Sequence, residues 1–204
     1  MKKIIKIVIT GGPCGGKTSS LLKLKTHFSQ KGYNTLLVPE SATAIMNGGI
    51  TPANCGILSY ERCEISLQIS LERLFEYAAE SINANSTIII CDRGIFDNKA
   101  WMTDEEFEQV LSEEGMSSKS VLSGYDAVFH LVSAAKGAEA YYTLDTNTVR
   151  IEKIEEARVL DEKIIQAWSD HPYFRIIDNS TSFNKKIERL ISEIEAYLNK
   201  EESI

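Results

Sequence analysis

Ile4-Ile5-Lys6-Ile7-Val8-Ile9-Thr10 leads directly into Gly11-Gly12-Pro13-Cys14-Gly15-Gly16-Lys17-Thr18, and a helical pattern follows to about residue 30. The first run is almost continuously apolar and shows no alternation, which is how a strand covered on both faces reads. The next eight residues satisfy G-x-x-x-x-G-K-[ST] at every fixed position. The physical reason for that spacing is that glycines let backbone N–H groups turn inward around a phosphate chain. The helix start behind them adds partial positive charge. In such a loop Lys17 supplies a point charge to the β- and γ-phosphates, and Thr18 offers a hydroxyl to Mg²⁺. Gly11, Gly12, Pro13, Cys14, Gly15, Gly16, Lys17, Thr18 and Ser19 are therefore the expected nucleotide-binding residues. A mere Gly-rich turn would not need a strand before it and a helix after it. Cys14 reads either as an oxidation-sensitive thiol near a helix start or as a small filler.

Four more apolar runs, at 35–38, 87–91, 127–132 and 175–177, are rich in Ile and Val. Helical patterns lie between them. Over 60–83 the stripe is Tyr60, Cys63, Leu67, Leu71, Leu74, Ala78 and Ile82. A later helix carries Ile151, Ile154, Ala157, Leu160, Ile164 and Trp168, and the last, about 183–199, carries Ile187, Leu190, Ile191, Ile194 and Leu198. Strands alternating with helices predict a three-layer α/β domain, a parallel sheet with helices on both faces. No repeat or linker divides the chain, so 1–204 reads as one unit with a small lid at about 136–158.

Composition excludes several classes. With 204 residues, 43% hydrophobic and 25% charged, the chain can bury a full core and is neither disordered nor fibrous. A net charge of −7 disfavours nucleic-acid coating, polybasic membrane anchoring and a nucleic-acid end kinase. The uncharged stretch 41–60 is broken by Asn47, Gly48, Gly49, Pro52, Asn54 and Gly56, so no transmembrane segment is expected. The initial apolar run is too short for a signal peptide. Cys14, Cys55, Cys63 and Cys91 have no metal-finger spacing, and lone thiols point to a reducing, cytoplasmic setting.

Several residues outside the loop carry chemistry. Thr87-Ile88-Ile89-Ile90-Cys91-Asp92-Arg93 is an apolar strand ending in a carboxylate, the station for a Mg²⁺ partner beside a phosphate loop. Arg93 reads as a guanidinium aimed at anionic groups or as a surface ion pair. Glu40, after Leu36-Leu37-Val38-Pro39, is either a carboxylate holding an acceptor hydroxyl or a helix-start charge. Arg150 and Arg158 could reach phosphates from a lid, or pair as solvated charges with Glu152, Glu155 or Asp161. His27, His130 and His171 read as structural, with no catalytic triad order.

Together GGPCGGKT, VPES, IIICDRGIFDNKAWM, YDAVFHLVSAAKGAEAYYTLDTNTVRIEKIEEARVLDEKI and FRIIDNSTSF resemble the NadR-like and TRPL-translocation-defect-like family, filed as an AAA-type P-loop domain. The similarity runs from about residue 7 to 190. Its most specific parts are DRG-x-x-D-x-K-A-(W/Y)-M and N-T-x-R-x-E…E-E-A-R-x-L-D. This resemblance implies a kinase-like P-loop NTPase fold with a five-stranded sheet in the order 2-3-1-4-5, binding ATP or GTP with Mg²⁺. One branch includes nicotinamide riboside kinases; others are known only as nucleotide-binding proteins. By matching position the resemblance carries over Lys17, Thr18, Asp92 and Arg150, and more loosely Glu40 and Arg93. It does not imply a ring motor.

Two functions follow as expectations. One is phosphoryl transfer from the nucleotide to a small, nucleoside-like acceptor, walled by 41–59 and 97–123. The other is a nucleotide-dependent switch or slow NTPase acting through a protein or membrane partner. No N/T-K-x-D motif is present, and Ser133-Ala134-Ala135-Lys136 is only a fragment of a guanine loop, so Ras-type guanine reading is not expected.

Overall fold

In the computed structural model, which describes residues 2–142 and 153–202, five strands form one parallel sheet. They are β1 (Lys3–Thr10), β2 (Asn34–Val38), β3 (Ser86–Asp92), β4 (Ala127–Leu131) and β5 (Phe174–Ile177), in the order β2-β3-β1-β4-β5. The expected order and strand runs are thus observed, with ends shifted by a residue or so. Among the described residues seven α-helices lie between the strands, α1 (Lys17–Gln30), α2 (Ser41–Asn47), α3 (Pro52–Cys55), α4 (Ile57–Ser81), α5 (Asp104–Glu113), α6 (Ser118–Ser123) and α7 (Ile154–Trp168), and α8 (Phe183–Glu202) follows β5. A 3-10 segment, Ile95–Trp101, leaves β3.

Strand residues alternate between two cores, which is why the runs show no regular polar alternation. Ile5, Ile7, Ile9, Ile88, Ile90, Phe129 and Leu131 pack with Leu21, Leu24 and Phe28 of α1 and with Leu190, Ile194 and Leu198 of α8. Val8, Val38, Ile89, Cys91 and Val128 face the other way, onto Ile65 and Ile69 of α4, Phe107 and Leu111 of α5, and Ile164 and Trp168 of α7. Each fully buried aliphatic side chain contributes about 1.5–3 kcal/mol of transfer free energy. The registers then set the site: Ile9 pairs with Asp92 and Thr10 with His130. The ends of β3 and β4 therefore flank the loop that follows Thr10, at the carboxyl edge where open α/β sheets bind ligands.

The apolar stripe expected on α4 is out of phase with its buried face. Of its members Tyr60 is buried, Cys63 is exposed and Leu74 is 59% exposed. The covered face carries Glu61, Glu64, Gln68 and Glu72 beside Ile65, Ile69 and Ala79. These polar groups are buried because partners await them. Asn98 donates to Glu61 (2.9 Å), and Lys6 (3.0 Å) and Tyr125 (2.7 Å) donate to Glu72. On α7 the same thing happens once: Asp161 is buried and Leu160 only half-buried.

Candidate functional site

The loop between β1 and α1 is a backbone device. Gly11 has φ +147°, and a Cβ there would lie 2.2 Å from the Leu131 carbonyl oxygen, so only glycine fits against β4. Gly16, at φ +95°, precedes the first residue of α1. Cys14 takes φ +55°, a left-handed conformation that a non-glycine residue holds only where its surroundings impose it. Lys17 is buried and its Nζ donates to Gly11 O (2.9 Å) and Gly12 O (3.4 Å), lying over the loop it serves. Burial, then the nearby Arg93 guanidinium, pushes its pKa down to about 8. Thr18 and Ser19 are exposed at the head of α1. Ser133 Oγ donates to Pro13 O at 2.5 Å, tying the loop to the end of β4.

Three expected residues, Arg93, Glu40 and Asp92, lie close enough to Lys17 to act on its charge. Arg93 Nε donates to Glu40 Oε1 (2.6 Å), and its Nη1 donates to Asp97 Oδ2 (3.3 Å). Arg93 is itself at φ +69°, pinned by its N–H to Ile9 O (3.1 Å) and by Gln68 Nε2 on its carbonyl (3.4 Å). Burial works against its charge, but Glu40 and Asp97 outweigh burial and push its pKa up. Glu40 stands at the helix start as one reading expected, at the N-cap position of α2 without a side-chain capping bond, and it faces the guanidinium. Burial alone would raise its pKa, yet Arg93 and Lys17 hold it at about 2. Thr43 donates to its other oxygen (2.6 Å). Arg93 is thus a partly buried, paired group, not a surface ion pair.

Asp92 ends β3 opposite Ile9, and its Oδ1 is buried with no hydrogen-bond partner among the described residues. Burial raises its pKa to about 6 against the pull of Lys17. An orphaned carboxylate oxygen beside a phosphate loop fits a divalent cation, which Thr18 and Asp92 would hold together with nucleotide oxygens.

Sequence reasoning missed four groups. Asp97 accepts from Thr10 Oγ1 (2.6 Å) and Trp168 Nε1 (2.6 Å) as well as from Arg93, so it orients the guanidinium. Glu61 and Glu64 sit 3% and 8% exposed on α4, hidden by the assumption that a helix buries its apolar stripe. Asp161 stands in the D position of the R-x-L-D motif, and nothing in its local pattern indicates burial. Burial, with the neighbouring Glu64 charge, raises Glu61 to about 8. Burial likewise raises Glu64 to about 7, against the pull of Arg93. A carboxyl with a raised native pKa stabilises the fold below its unfolded value near 4.5 and loses that contribution as pH rises through the native value. Asp92 acts in the same direction, whereas Glu40 acts only below pH 4.5. The melting temperature of the free protein should therefore fall between pH 5 and pH 8.5, and Glu61→Gln should flatten that fall, as followed by thermal melts across the pH series.

The expected lid is only partly in view. Arg150 lies outside the described residues. Arg158 is on α7, where Nε donates to Ala135 O (2.6 Å) and Nη2 to Glu139 Oε1 (2.9 Å). Its partners are on the 133–139 segment, not the neighbouring acids of its own helix. The histidines are bonded: His27 to Glu195 (2.8 Å), His130 to Asp161 (3.0 Å), and His171 to the Tyr125 carbonyl (2.9 Å). No described cysteine is in a disulfide.

The profile of a family described as an AAA domain matches residues 6–186. The chain belongs to that family. The match runs from β1 through the start of α8 and takes in the loop, Glu40, Asp92, Arg93 and Asp161. Phosphate-loop nucleotide binding comes with membership of the AAA domain family, as does the five-stranded α/β fold described above. No curated protein matches the chain. None of the described helices is long and apolar enough to cross a membrane.

Proposed function

We propose that this AAA domain transfers a phosphoryl group from Mg-ATP or Mg-GTP to a hydroxyl of a small, nucleoside-like acceptor, as the NadR-like branch of the resemblance suggests. The observation that carries the reading is the Glu40–Arg93–Asp97 constellation at the strand edge next to Lys17. A plain nucleotide switch has no need of a carboxylate held in place by a guanidinium beside the phosphates.

Each group has a role. N–H groups of residues 16–18, at the head of α1, cradle the phosphates, and Lys17 turns from the loop carbonyls to the β- and γ-oxygens. At pH 7 a pKa near 8 leaves it mostly charged, and an anionic ligand strengthens that charge. Glu40, ionised at any physiological pH, accepts the hydrogen bond of the acceptor hydroxyl and orients its oxygen toward the γ-phosphorus. Its low basicity suits a loose transition state, in which the proton leaves late and little base strength is required. Arg93 holds Glu40 in position and adds positive charge near the transferring group. Mg²⁺ entering with the nucleotide would supply charge neutralisation, held by Thr18 and Asp92. Arg150 and Arg158, on a lid spanning about 136–158 of this single domain, would close over the phosphates. Glu61, Glu64 and the segments 41–59 and 97–123 wall the acceptor, and the setting is cytoplasmic.

Purified protein incubated with Mg-ATP or Mg-GTP and pooled nucleosides, nicotinamide riboside among them, should yield a new phosphorylated species by mass spectrometry. Nucleoside diphosphate alone, or binding without turnover, would shift the reading to a switch.

A further inference from the structure

We infer that Asp161 is a positioning residue that sets the phosphate loop from behind and ties it to α7. Its Oδ1 accepts three donors from three places in the fold: the Gly12 N–H (3.1 Å), the Ser133 N–H (2.9 Å) and His130 Nε2 (3.0 Å). A carboxylate only accepts, so His130 carries its proton on Nε2 here. The side chain is fully buried, and a Cβ on Gly12 would come within 2.5 Å of the same oxygen. Gly12 is thus glycine because a carboxylate occupies the space behind it. On the other side of the loop Lys186, from α8, donates to Gly15 O (3.1 Å), Val132 O (2.7 Å) and Asn179 Oδ1 (2.8 Å). An acid takes a loop N–H and a base takes a loop carbonyl, both from outside the cradle. Gly15 N–H closes the loop on Gly12 O (3.2 Å), and the N–H groups at the head of α1, from residue 16 on, are left to a ligand.

Two turns along the same face of α7, Trp168 donates to Asp97, which in turn holds Arg93. One rigid helix therefore registers the phosphate loop against the Arg93 end of the site. Preorganised donors bind an anion without a reorganisation cost, so loss of the Asp161 charge weakens nucleotide binding although Asp161 touches no phosphate. The inference rests on nucleotide binding by the loop and not on which reaction follows.

The test compares wild-type, Asp161→Asn and His130→Gln proteins for binding of a fluorescent Mg-ATP or Mg-GTP analogue, with amide hydrogen exchange on each free protein. Asp161→Asn should lose about tenfold or more in affinity, the size expected for weakening hydrogen bonds to a charged acceptor. Exchange should accelerate in peptides covering Gly12 and Ser133 while β3 stays protected. His130→Gln, which keeps a donor for Asp161, should stay within about threefold of wild type. Unchanged affinity in Asp161→Asn overturns the inference, as does a loss accompanied by faster exchange throughout the sheet. Should that variant not fold, nucleotide added to wild type must slow exchange around Gly12, Ser133 and 157–164; no slowing overturns the inference. A wild-type protein that binds no nucleotide overturns the nucleotide reading along with it.

Discussion

Lys17→Ala should remove nucleotide turnover by about 10²–10³-fold, the loss seen when one preorganised charge donor to a transition state is deleted. Two described cations near the loop are otherwise engaged. Arg93 is engaged by Glu40 and Asp97, and Lys186 grips the outer side of the loop. The free variant should nevertheless melt at or slightly above the wild-type temperature. Burial disfavours the Lys17 charge in the empty loop, as its lowered pKa records, so the side chain serves ligand binding and not folding. The contrast appears on adding nucleotide. Wild type should gain about 2.7 kcal/mol at a hundredfold excess over Kd, and Lys17→Ala should gain almost none. A variant that still shifts with Mg-nucleotide would show that the phosphates bind elsewhere.

The second large effect is at Arg93. Arg93→Ala leaves Glu40 and the buried Asp97 facing each other, with Glu64 nearby and no guanidinium between them. Breaking a buried pair by removing one partner costs about 3–5 kcal/mol, because the remaining charges stay desolvated. The sign with pH is fixed by Glu40: its depressed pKa contributes stability above 4.5 that is lost as pH falls toward 2. The penalty of Arg93→Ala, measured by urea unfolding, should thus be large at pH 7 and shrink in acid. Glu40→Gln is the milder partner. Its amide still accepts from Arg93, so it should fold, yet it should lower phosphoryl transfer by about 10²–10⁴-fold through loss of the carboxylate. Equal transfer rates in Glu40→Gln and wild type would remove Glu40 from the reaction. In a double-mutant cycle, Glu40→Ala with Arg93→Ala should cost less than the sum, since each removes the other's unpaired charge.

How legible these features were in the sequence depends on how local their causes are. The phosphate loop is a local object: eight consecutive residues carry the torsional freedom, the lysine and the helix start, so its reading needs no contact from elsewhere. Strands buried on both faces are equally local, since the runs around Ile7, Ile89 and Phe129 contain almost no polar side chain to mislead. Asp92 and Glu40 are legible as candidates because the end of a strand in a parallel sheet is also the edge where ligands bind. The α4 face failed for the complementary reason. Apolar periodicity predicts what a helix buries only against an apolar partner, and this helix covers a polar corner where Asn98, Lys6, Tyr125 and the Arg93 carbonyl stand.

By itself, then, the sequence determined the α/β class, the nucleotide loop with Lys17 and Thr18, and the strand-end residues Glu40, Asp92 and Arg93. Tertiary structure alone decided that Arg93 is held between Glu40 and Asp97, that Glu61 and Glu64 are buried acids, and that Asp161 grips Gly12 across 149 positions of chain. Hydrogen bonds and charges act over a few ångströms in space, whatever the separation along the chain. Pairings of that kind have no period for a sequence to display.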